Sequence, residues 1–178
     1  MKNITKFLLL LLLTLSFGSC DEAEELLNLT KDFDSTIVES IPLDIDQTTG
    51  DRASFSNTKI LSLDDPALQP YINKIRSIEI KSLSYKIINF NGDPAGDVSG
   101  EFYIDNIIYL TDAFVVKTAA DNGIVYKITE VAALNEIATK LKANKKLTAE
   151  YSGDALCDND KMNFLVEITI DAKIKVGL

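Results

Sequence analysis

The sequence lacks histidine and tryptophan altogether, and it has only two cysteines. Without histidine there is no imidazole base near neutral pH, no Ser-His-Asp or Cys-His nucleophile pair, and no zinc or copper site built on imidazole. Arg52 and Arg76 are the only arginines, which disfavours a phosphate clamp made of bidentate guanidinium groups. The absence of tryptophan removes the commonest stacking platform for sugars, although six tyrosines remain.

Sequence motifs of nucleotide-binding and hydrolase sites are missing as well. The chain contains no GxSxG, GxxxxGK[ST] or GxGxxG pattern. Its 27 acidic residues leave room for a glycosidase-like carboxylate pair. That chemistry depends on the separation and pKa of two carboxyl groups, which sequence spacing does not reveal. We therefore predict a protein that is not an enzyme and has no cofactor, with a carboxylate-dependent hydrolase as an alternative.

Residues 1–19 have the three parts of a secretory signal peptide. Two lysines form a positive start, the run Phe7–Leu13 is wholly apolar, and Gly18 and Ser19 are the small residues that a signal peptidase requires. The apolar run is too short to cross a hydrocarbon core of about 30 Å as a helix. We predict that residues 1–19 are removed; a buried helix or an uncleaved anchor is the alternative.

The segment Phe17-Gly18-Ser19-Cys20 resembles the lipobox of bacterial lipoproteins, with phenylalanine in place of the usual leucine. The resemblance implies that Cys20 is thioether-linked to diacylglycerol, becomes the mature N-terminus and is then N-acylated. Two or three acyl chains anchor a protein stably, whereas a single chain does not. The resemblance therefore implies a membrane partner through a lipid on Cys20.

Four of the five residues after Cys20 are acidic. The segment "CDEAEE" resembles the export signal of Bacteroidetes-type lipoproteins, which implies an outer-membrane or cell-surface location. In enteric-type sorting, an aspartate directly after the cysteine implies retention at the inner membrane instead, and a solvated acidic linker would need no sorting role. We expect an outer-membrane lipoprotein whose domain faces either the cell surface or the periplasm.

Charge argues against a nucleic-acid partner. Removal of the leader leaves 16 basic residues against 27 acidic ones, a formal net charge of −11 compared with −9 for the full chain. Such a surface repels nucleic acid and anionic headgroups. We therefore expect no nucleic acid among the partners.

Lipidation of Cys20 would leave Cys157 without a partner for an internal disulfide. Asp158 follows Cys157 directly and disfavours its thiolate, which is the reactive form of cysteine. We predict that Cys157 is a small apolar filler or loop residue and has no reactive role.

The mature chain divides into an acidic tether, 20–34, and one domain, 35–178. A short helix packed on the domain is the alternative for the tether. Alternating apolar residues dominate the domain, and Pro42 removes a ladder donor, which places the first strand at a sheet edge. Each strand has one apolar face to bury, which two packed sheets achieve. We predict a mainly β fold, a β-sandwich of about seven or eight antiparallel strands with one amphipathic helix and one short helix.

Several local features of this sandwich can be predicted. The apolar phase shifts along "IRSIEIKSLSYKIINF", which indicates a bulge near Lys81-Ser82. "NGDPAGDVSG" and "AADNG" predict hairpin loops that pair the segments on either side. The final alternating segment is so long that we expect it to bend or to cross between sheets. "DDPALQPYINKI" predicts the short helix.

The amphipathic helix is predicted over Thr129–Lys142, with Thr129 as its N-cap. We expect it to cover one end of the β-core, and a membrane-binding or partner-binding helix is the alternative. Its apolar stripe consists of Val131, Leu134, Ile137, Ala138 and Leu141.

Two acidic loops, Asn91–Asp97 and Asp154–Asp160, have oxygen-bearing side chains that suit calcium. Neither has EF-hand spacing, and Asp and Asn are also the residues expected in turns. We prefer the turn interpretation.

For the protein as a whole, the sequence favours a lipid-anchored, non-enzymatic binding or assembly module of the cell envelope. A carrier of an apolar ligand between the sheets is the alternative to a binding module.

Overall fold

A computed structural model describes residues 29–178, with the backbone alone at position 108. Cys20, the leader and most of the tether lie outside these residues. The strands are β1 (Thr30–Ile45), β2 (Ala53–Ser62), β3 (Ile75–Gly92), β4 (Asp97–Ile104), β5 (Ile107–Val115), β6 (Val125–Ile128), β7 (Lys146–Leu156) and β8 (Met162–Gly177). The helices are α1 (Val116–Asp121) and α2 (Val131–Asn144), with a 3₁₀ helix at Gln69–Lys74.

The strands form two four-stranded antiparallel sheets. The first sheet has the order β1-β8-β3-β6 and the second has the order β2-β7-β4-β5. Strand β1 pairs with β8, β2 with β7, β3 with β6 and β4 with β5, so the chain behaves as one long hairpin of paired strands that is rolled into two sheets. This is the topology of a jelly roll. The predicted antiparallel β-sandwich is confirmed.

Strand β8 supplies much of the core because it lies between β1 and β3 along its whole length. Its alternate residues from Met162 to Val176 face the interior, and none is more than 3% exposed. Of the two alternatives expected for this segment, a bend or a crossing between sheets, the crossing is wrong: a central strand of a jelly roll stays in one sheet and buries one face along its length.

Strand β1 lies at the edge of the first sheet, as Pro42 predicts. It begins at Thr30, which pairs with Gly177, so residues 30–34 belong to the sheet and the tether is shorter than the predicted 20–34. Their charged side chains obscure the strand pattern, because an edge strand buries little of this part of its surface.

Strand β3 contains the predicted bulge, since its register against β8 shifts between Ile80 and Ser82. The predicted hairpin across "NGDPAGDVSG" is wrong, because β3 lies in the first sheet and β4 in the second. The segment "AADNG" joins no hairpin either: it ends α1, and the strands before and after it, β5 and β6, are in different sheets. A turn signal predicts a reversal of the chain but not the sheet that the next strand joins.

Helix α2 packs on β3 and β7 and covers one end of the core. Ala133, Ile137, Ala138 and Leu141 are buried, whereas Val131, the first residue of the helix, is 69% exposed. The N-cap is Glu130, without a side-chain cap bond, and not Thr129. Among residues 29–178, no helix is both long and apolar enough to span a membrane.

Candidate functional site

The described residues form an open groove of about 890 Å³. It lies where the edge strand of the first sheet, β1, passes the edge strand of the second sheet, β2. We call it the edge groove. Its lining consists of Pro42, Leu43, Asp44, Ile45, Asp46, Ala53, Ser54, Phe55, Ser56, Asn57, Asn89, Asn163, Phe164 and Leu165.

Two local features shape the edge groove. The Asn57 side chain donates a 2.7 Å hydrogen bond to the Pro42 carbonyl oxygen, which ties β2 to the free edge of β1. In β3, the register against β8 shifts between Ile88 and Asn91, and Asn89 has a φ of 54°. Asparagine tolerates this left-handed conformation better than most residues. The bulge brings Asn89 into the groove lining, which a regular strand would not do at this position.

Polar side chains in the edge groove have no partner of their own. Within residues 29–178, no hydrogen bond or ion pair involves the side chains of Asp44, Asp46, Asn89 or Asn163. Among surface acids elsewhere, Glu39 pairs with Lys59 and Glu167 with Lys86, whereas the side chains of Asp51, Asp64 and Glu130 likewise have no hydrogen bond or ion pair among the described residues. The groove lining also contains no lysine or arginine. The four polar side chains of the groove are therefore available to hydrogen-bond a ligand.

The two acidic loops meet, but their oxygens are occupied by protein donors. Asp93 is 1% exposed and accepts hydrogen bonds from the backbone N–H groups of Ala95 and Asn159 and from the Asn159 amide. These bonds hold the pKa of Asp93 below its ordinary value. Asp158 accepts from Thr48 Oγ1 at 2.8 Å and from the Gly50 N–H. No group of three or more acidic or cysteine side chains among the described residues is arranged to hold a metal ion. The preferred turn interpretation agrees with these contacts.

A second polar feature lies on the opposite side of the sandwich, where β5 and β6 are the edge strands. Tyr151 on β7 reaches across Gly100 on β4 and donates a 2.7 Å hydrogen bond to Asp112 on β5. A Cβ atom at position 100 would lie 2.2 Å from the Tyr151 hydroxyl oxygen, so only glycine leaves space for this ring. We call Tyr85, Tyr126, Tyr151 and Asp112 the tyrosine–aspartate cluster.

Burial controls protonation in the tyrosine–aspartate cluster. Burial raises the pKa of Asp112 to about 6, although the Tyr151 hydrogen bond opposes the shift. Burial, followed by the Asp112 charge, raises the pKa of Tyr126 to about 12, and the pKa of Tyr151 is raised for the same reasons. Asp112 Oδ2 and the Tyr85 hydroxyl are buried without a hydrogen-bond partner.

The surroundings of the cluster are aromatic. Tyr85 stacks on Tyr126 with ring centroids 4.9 Å apart and contacts Phe102 at 5.1 Å and Tyr151 at 5.7 Å. No second carboxyl group contributes to the pKa of Asp112. The arrangement provides one carboxyl that titrates near pH 6, and it does not provide the facing pair of acids that glycoside hydrolysis uses.

Cys157 is 1% exposed, and its Sγ donates to the Asp46 carbonyl oxygen at 3.3 Å. Burial raises the pKa of the thiol. The prediction of a small apolar filler residue is confirmed. The lipidation site, Cys20, is not among the described residues, and its role stays a prediction.

Sequence reasoning missed both the edge groove and the tyrosine–aspartate cluster. Asp112 carried a signal, because "YLTDAF" places an acid in phase with the inward-facing Leu110 and Phe114. Asn89 carried none, because its place in the groove depends on a bulge and on two strands that are distant in sequence.

No family model matches the sequence, and no curated protein matches it. Among solved structures, the crystal structure of the decameric BFDV capsid protein is similar to this chain, with a TM-score of 0.45 and 10% identity over 81% of this chain and 99% of that one. A structure of Desmodium yellow mottle tymovirus is similar with a TM-score of 0.33 and 14% identity, over 80% of this chain and 82% of that one. The assignment of the fold rests on the strand pairing described above.

Proposed function

We propose that this chain is a lipid-anchored protein of the bacterial outer membrane or cell surface, whose jelly-roll domain binds a ligand in the edge groove without catalysing a reaction. The anchor rests on the lipobox-like Phe17–Cys20 and the acidic residues that follow it. The first strand begins at Thr30, so the proposed anchor would hold the domain close to the bilayer.

The observation that carries the binding role is the set of unengaged polar side chains in the edge groove. Asp44, Asn89 and Asn163 come from three strands, and Asp46 directly follows the first of them. Together they line a groove whose volume of about 890 Å³ falls in the usual range for small-molecule sites, roughly 300–1,000 Å³. Polar groups left open in a concave surface are available for a ligand, whereas the carboxylates of the acidic loops are occupied.

The alternatives have less support. A carrier of apolar ligands needs space between the sheets, and this region is filled by Tyr85, Phe102 and Tyr151, none more than 1% exposed. A carboxylate-dependent hydrolase needs two facing acids in a cleft. The carboxyl with a raised pKa, Asp112, is surrounded by tyrosines.

The anchor is tested by membrane fractionation and mass spectrometry of the Cys20→Ala variant. We expect the wild-type protein in the membrane fraction with an acyl mass on its N-terminal peptide, and the variant in the soluble fraction. Cys157→Ala is the matched control, because it removes the other cysteine and should remain lipidated. A membrane-bound Cys20→Ala variant together with a wild-type peptide lacking acyl mass would refute the anchor.

The binding role is tested by hydrogen exchange of the lipoprotein with and without an extract of envelope and culture medium. We expect slower exchange at 43–46 and 53–57 when ligand is present, and no change in the Asn163→Ala variant. Equal exchange under both conditions would contradict a ligand in the edge groove. Protease treatment of intact cells then distinguishes a surface-exposed domain, which is cleaved, from a periplasmic one, which is protected.

A further inference from the structure

The chemistry of the edge groove narrows the class of ligand, given the proposed binding role. An anionic ligand is disfavoured, because the lining carries two carboxylates and no lysine or arginine. No group of three or more acidic or cysteine side chains among the described residues is arranged to hold a metal ion, and Asn89 and Asn163 offer N–H donors besides their acceptor oxygens. The lining therefore suits groups that both donate and accept hydrogen bonds.

Hydroxyl groups have this property. A hydroxyl donates to a carboxylate such as Asp44 and accepts from an amide such as Asn163, and Asp44 and Asn163 are direct partners on adjacent strands β1 and β8. Ligands with several hydroxyl groups on a rigid frame use such pairs best, since less conformational freedom is lost on binding.

The edge groove also has apolar surface for the carbon frame of such a ligand. Phe55 and Leu165 are half-buried and line the same groove as the four polar side chains. The ring of Phe55 stacks on the ring of Tyr151 with centroids 5.8 Å apart, which fixes the position of Phe55. A sugar presents C–H groups on one face and hydroxyls at its rim, and the groove lining offers an aromatic ring for the former and amides and carboxylates for the latter.

The groove is short. At one end, the Asn57–Pro42 hydrogen bond joins the two strands that form its edges. At the other end, strand β1 runs into the loop that the Thr48–Asp158 hydrogen bond holds. A long extended peptide paired along β1 would have to pass the Asn57 side chain, which occupies a carbonyl oxygen of that edge. A compact ligand does not meet this obstacle.

From these observations we infer that the edge groove binds a short, neutral oligosaccharide. The amides and carboxylates hold its hydroxyl groups, and Phe55 contacts the apolar face of a sugar ring. Nothing in this assignment requires a metal ion or a covalent step.

The test is a titration of the full lipoprotein in a zwitterionic detergent without a sugar headgroup. The probes are neutral trisaccharides built from glucose, mannose, xylose or galactose, with an oligogalacturonate and a chitosan trimer as anionic and cationic counterparts, measured by calorimetry and saturation-transfer NMR. We expect binding of at least one neutral trisaccharide and at least about tenfold weaker binding by Asn163→Ala and by Asp44→Ala, since each removes a hydrogen bond to the ligand. Asn73→Ala is the matched control, because Asn73 is exposed on the 3₁₀ helix away from the groove, and should bind as the wild type does.

Thermal unfolding of each variant confirms that the fold is kept, since Asp44 and Asn163 have no side-chain partners within the described domain. Binding of none of the neutral probes, binding of the chitosan trimer alone, or equal affinity in wild type and both groove variants would each overturn the inference. If the extract still protects 43–46 and 53–57 from exchange while no neutral sugar binds, the ligand class is wrong and the binding role stands. If neither is observed, both are wrong.

Discussion

At the residue scale, a glycine in the second sheet leaves a space that a tyrosine from the neighbouring strand fills. Gly100 lies on the inward face of β4 between Val98 and Phe102, which are fully buried, and it contributes no side chain to that face. Tyr151 from β7 fills that space and reaches Asp112 on the edge strand β5. An inward-facing charge on an edge strand discourages pairing with another chain, which gives Asp112 a structural role without any ligand.

Asp112 makes stability depend on pH in a direction opposite to that of most carboxyl groups. Its pKa is about 6 in the folded protein and near the ordinary 3.8 in the unfolded chain. Between these values the folded state binds more protons, so the free energy of unfolding falls as pH rises from about 4 to about 6, by up to roughly 2–3 kcal/mol. At low pH the burial of a neutral carboxyl has no such cost.

The Asp112→Asn variant isolates this contribution, because the amide keeps an acceptor for the Tyr151 hydroxyl and does not ionise. Urea unfolding at pH values from 4 to 7.5 should show that the difference in stability, variant minus wild type, increases from about pH 4 to about pH 6 and levels off at higher pH. Carboxyl groups with lowered pKa values, such as Asp93 and Asp171, cancel in the difference. A difference that does not vary with pH would mean that Asp112 titrates like an exposed aspartate.

Gly100→Ala tests the packing of Tyr151. The new methyl group would overlap the Tyr151 hydroxyl and Cζ, at 2.2 and 2.4 Å, so the ring must move and its bond to Asp112 weakens. We expect a loss of about 1–3 kcal/mol in the free energy of unfolding, measured in urea. Ser99→Ala, on the exposed face of the same strand, should change stability by no more than about 0.5 kcal/mol. Equal stability of the two variants would contradict the described packing.

At the element scale, periodicity in the sequence predicts a strand correctly where one face of that strand is buried along its whole length. The alternation of β8, the bulge of β3 and the edge position of β1 all follow from local patterns. The hairpin between β4 and β5 was missed: its turn residues, Asp105 and Asn106, both have positive φ angles, of 48° and 66°, and Asp-Asn is a weaker turn signal than Asn-Gly.

The failures at this scale share a physical cause. Strand partners depend on which edges are free after the rest of the chain has folded, and Asn91-Gly92 carries no information about them. Similarly, Asn89, Asp44 and Asn163 come together only because β1, β3 and β8 share a sheet. The spacing of residues within the sequence therefore cannot reveal a candidate site that is built from three distant segments.

Helix α2 provides a direct comparison between periodicity and structure. Val131 and Ile137 belong to the same predicted apolar stripe, but Val131 is 69% exposed and Ile137 is completely buried. Ile137→Ala should cost about 2–5 kcal/mol because it leaves a cavity between the helix and the sheets. Val131→Ala should cost no more than about 0.5 kcal/mol, measured by the same urea titration. Comparable losses in the two variants would favour the predicted stripe over the observed one.

At the scale of the whole molecule, the jelly roll separates the chain entry from the edge groove. Strand β1 enters beside the end of β8, where Thr30 pairs with Gly177, and reaches the groove only at Pro42 and beyond. At roughly 3.3 Å per residue, the 16 residues of β1 extend over about 50 Å. The groove and the loops at 46–52 and 157–161 are therefore near the end opposite to Thr30.

If the proposed lipid anchor on Cys20 is correct, this geometry predicts the orientation of the domain at the membrane. The nine residues between Cys20 and Thr30 reach at most about 35 Å even when fully extended, so the Thr30 end must stay near the bilayer if Cys20 is acylated. The acidic surface repels anionic headgroups and turns the far end of the domain outward. A ligand approaching from the aqueous side then meets the edge groove first.

Energy transfer to a headgroup-labelled lipid measures this orientation in reconstituted vesicles. A fluorophore on the Ser77→Cys variant, near the Thr30 end, should transfer energy more efficiently than one on Thr49→Cys, in the loop beside the groove; both positions are exposed. Cys157 should remain unlabelled because it is buried, and the parent protein provides that control. With anionic vesicles at low salt, the difference between the two positions should increase, because repulsion then acts over a longer Debye length. Equal transfer from the two positions would mean that the domain lies flat on the bilayer, and the groove would then face the membrane surface instead of the solvent.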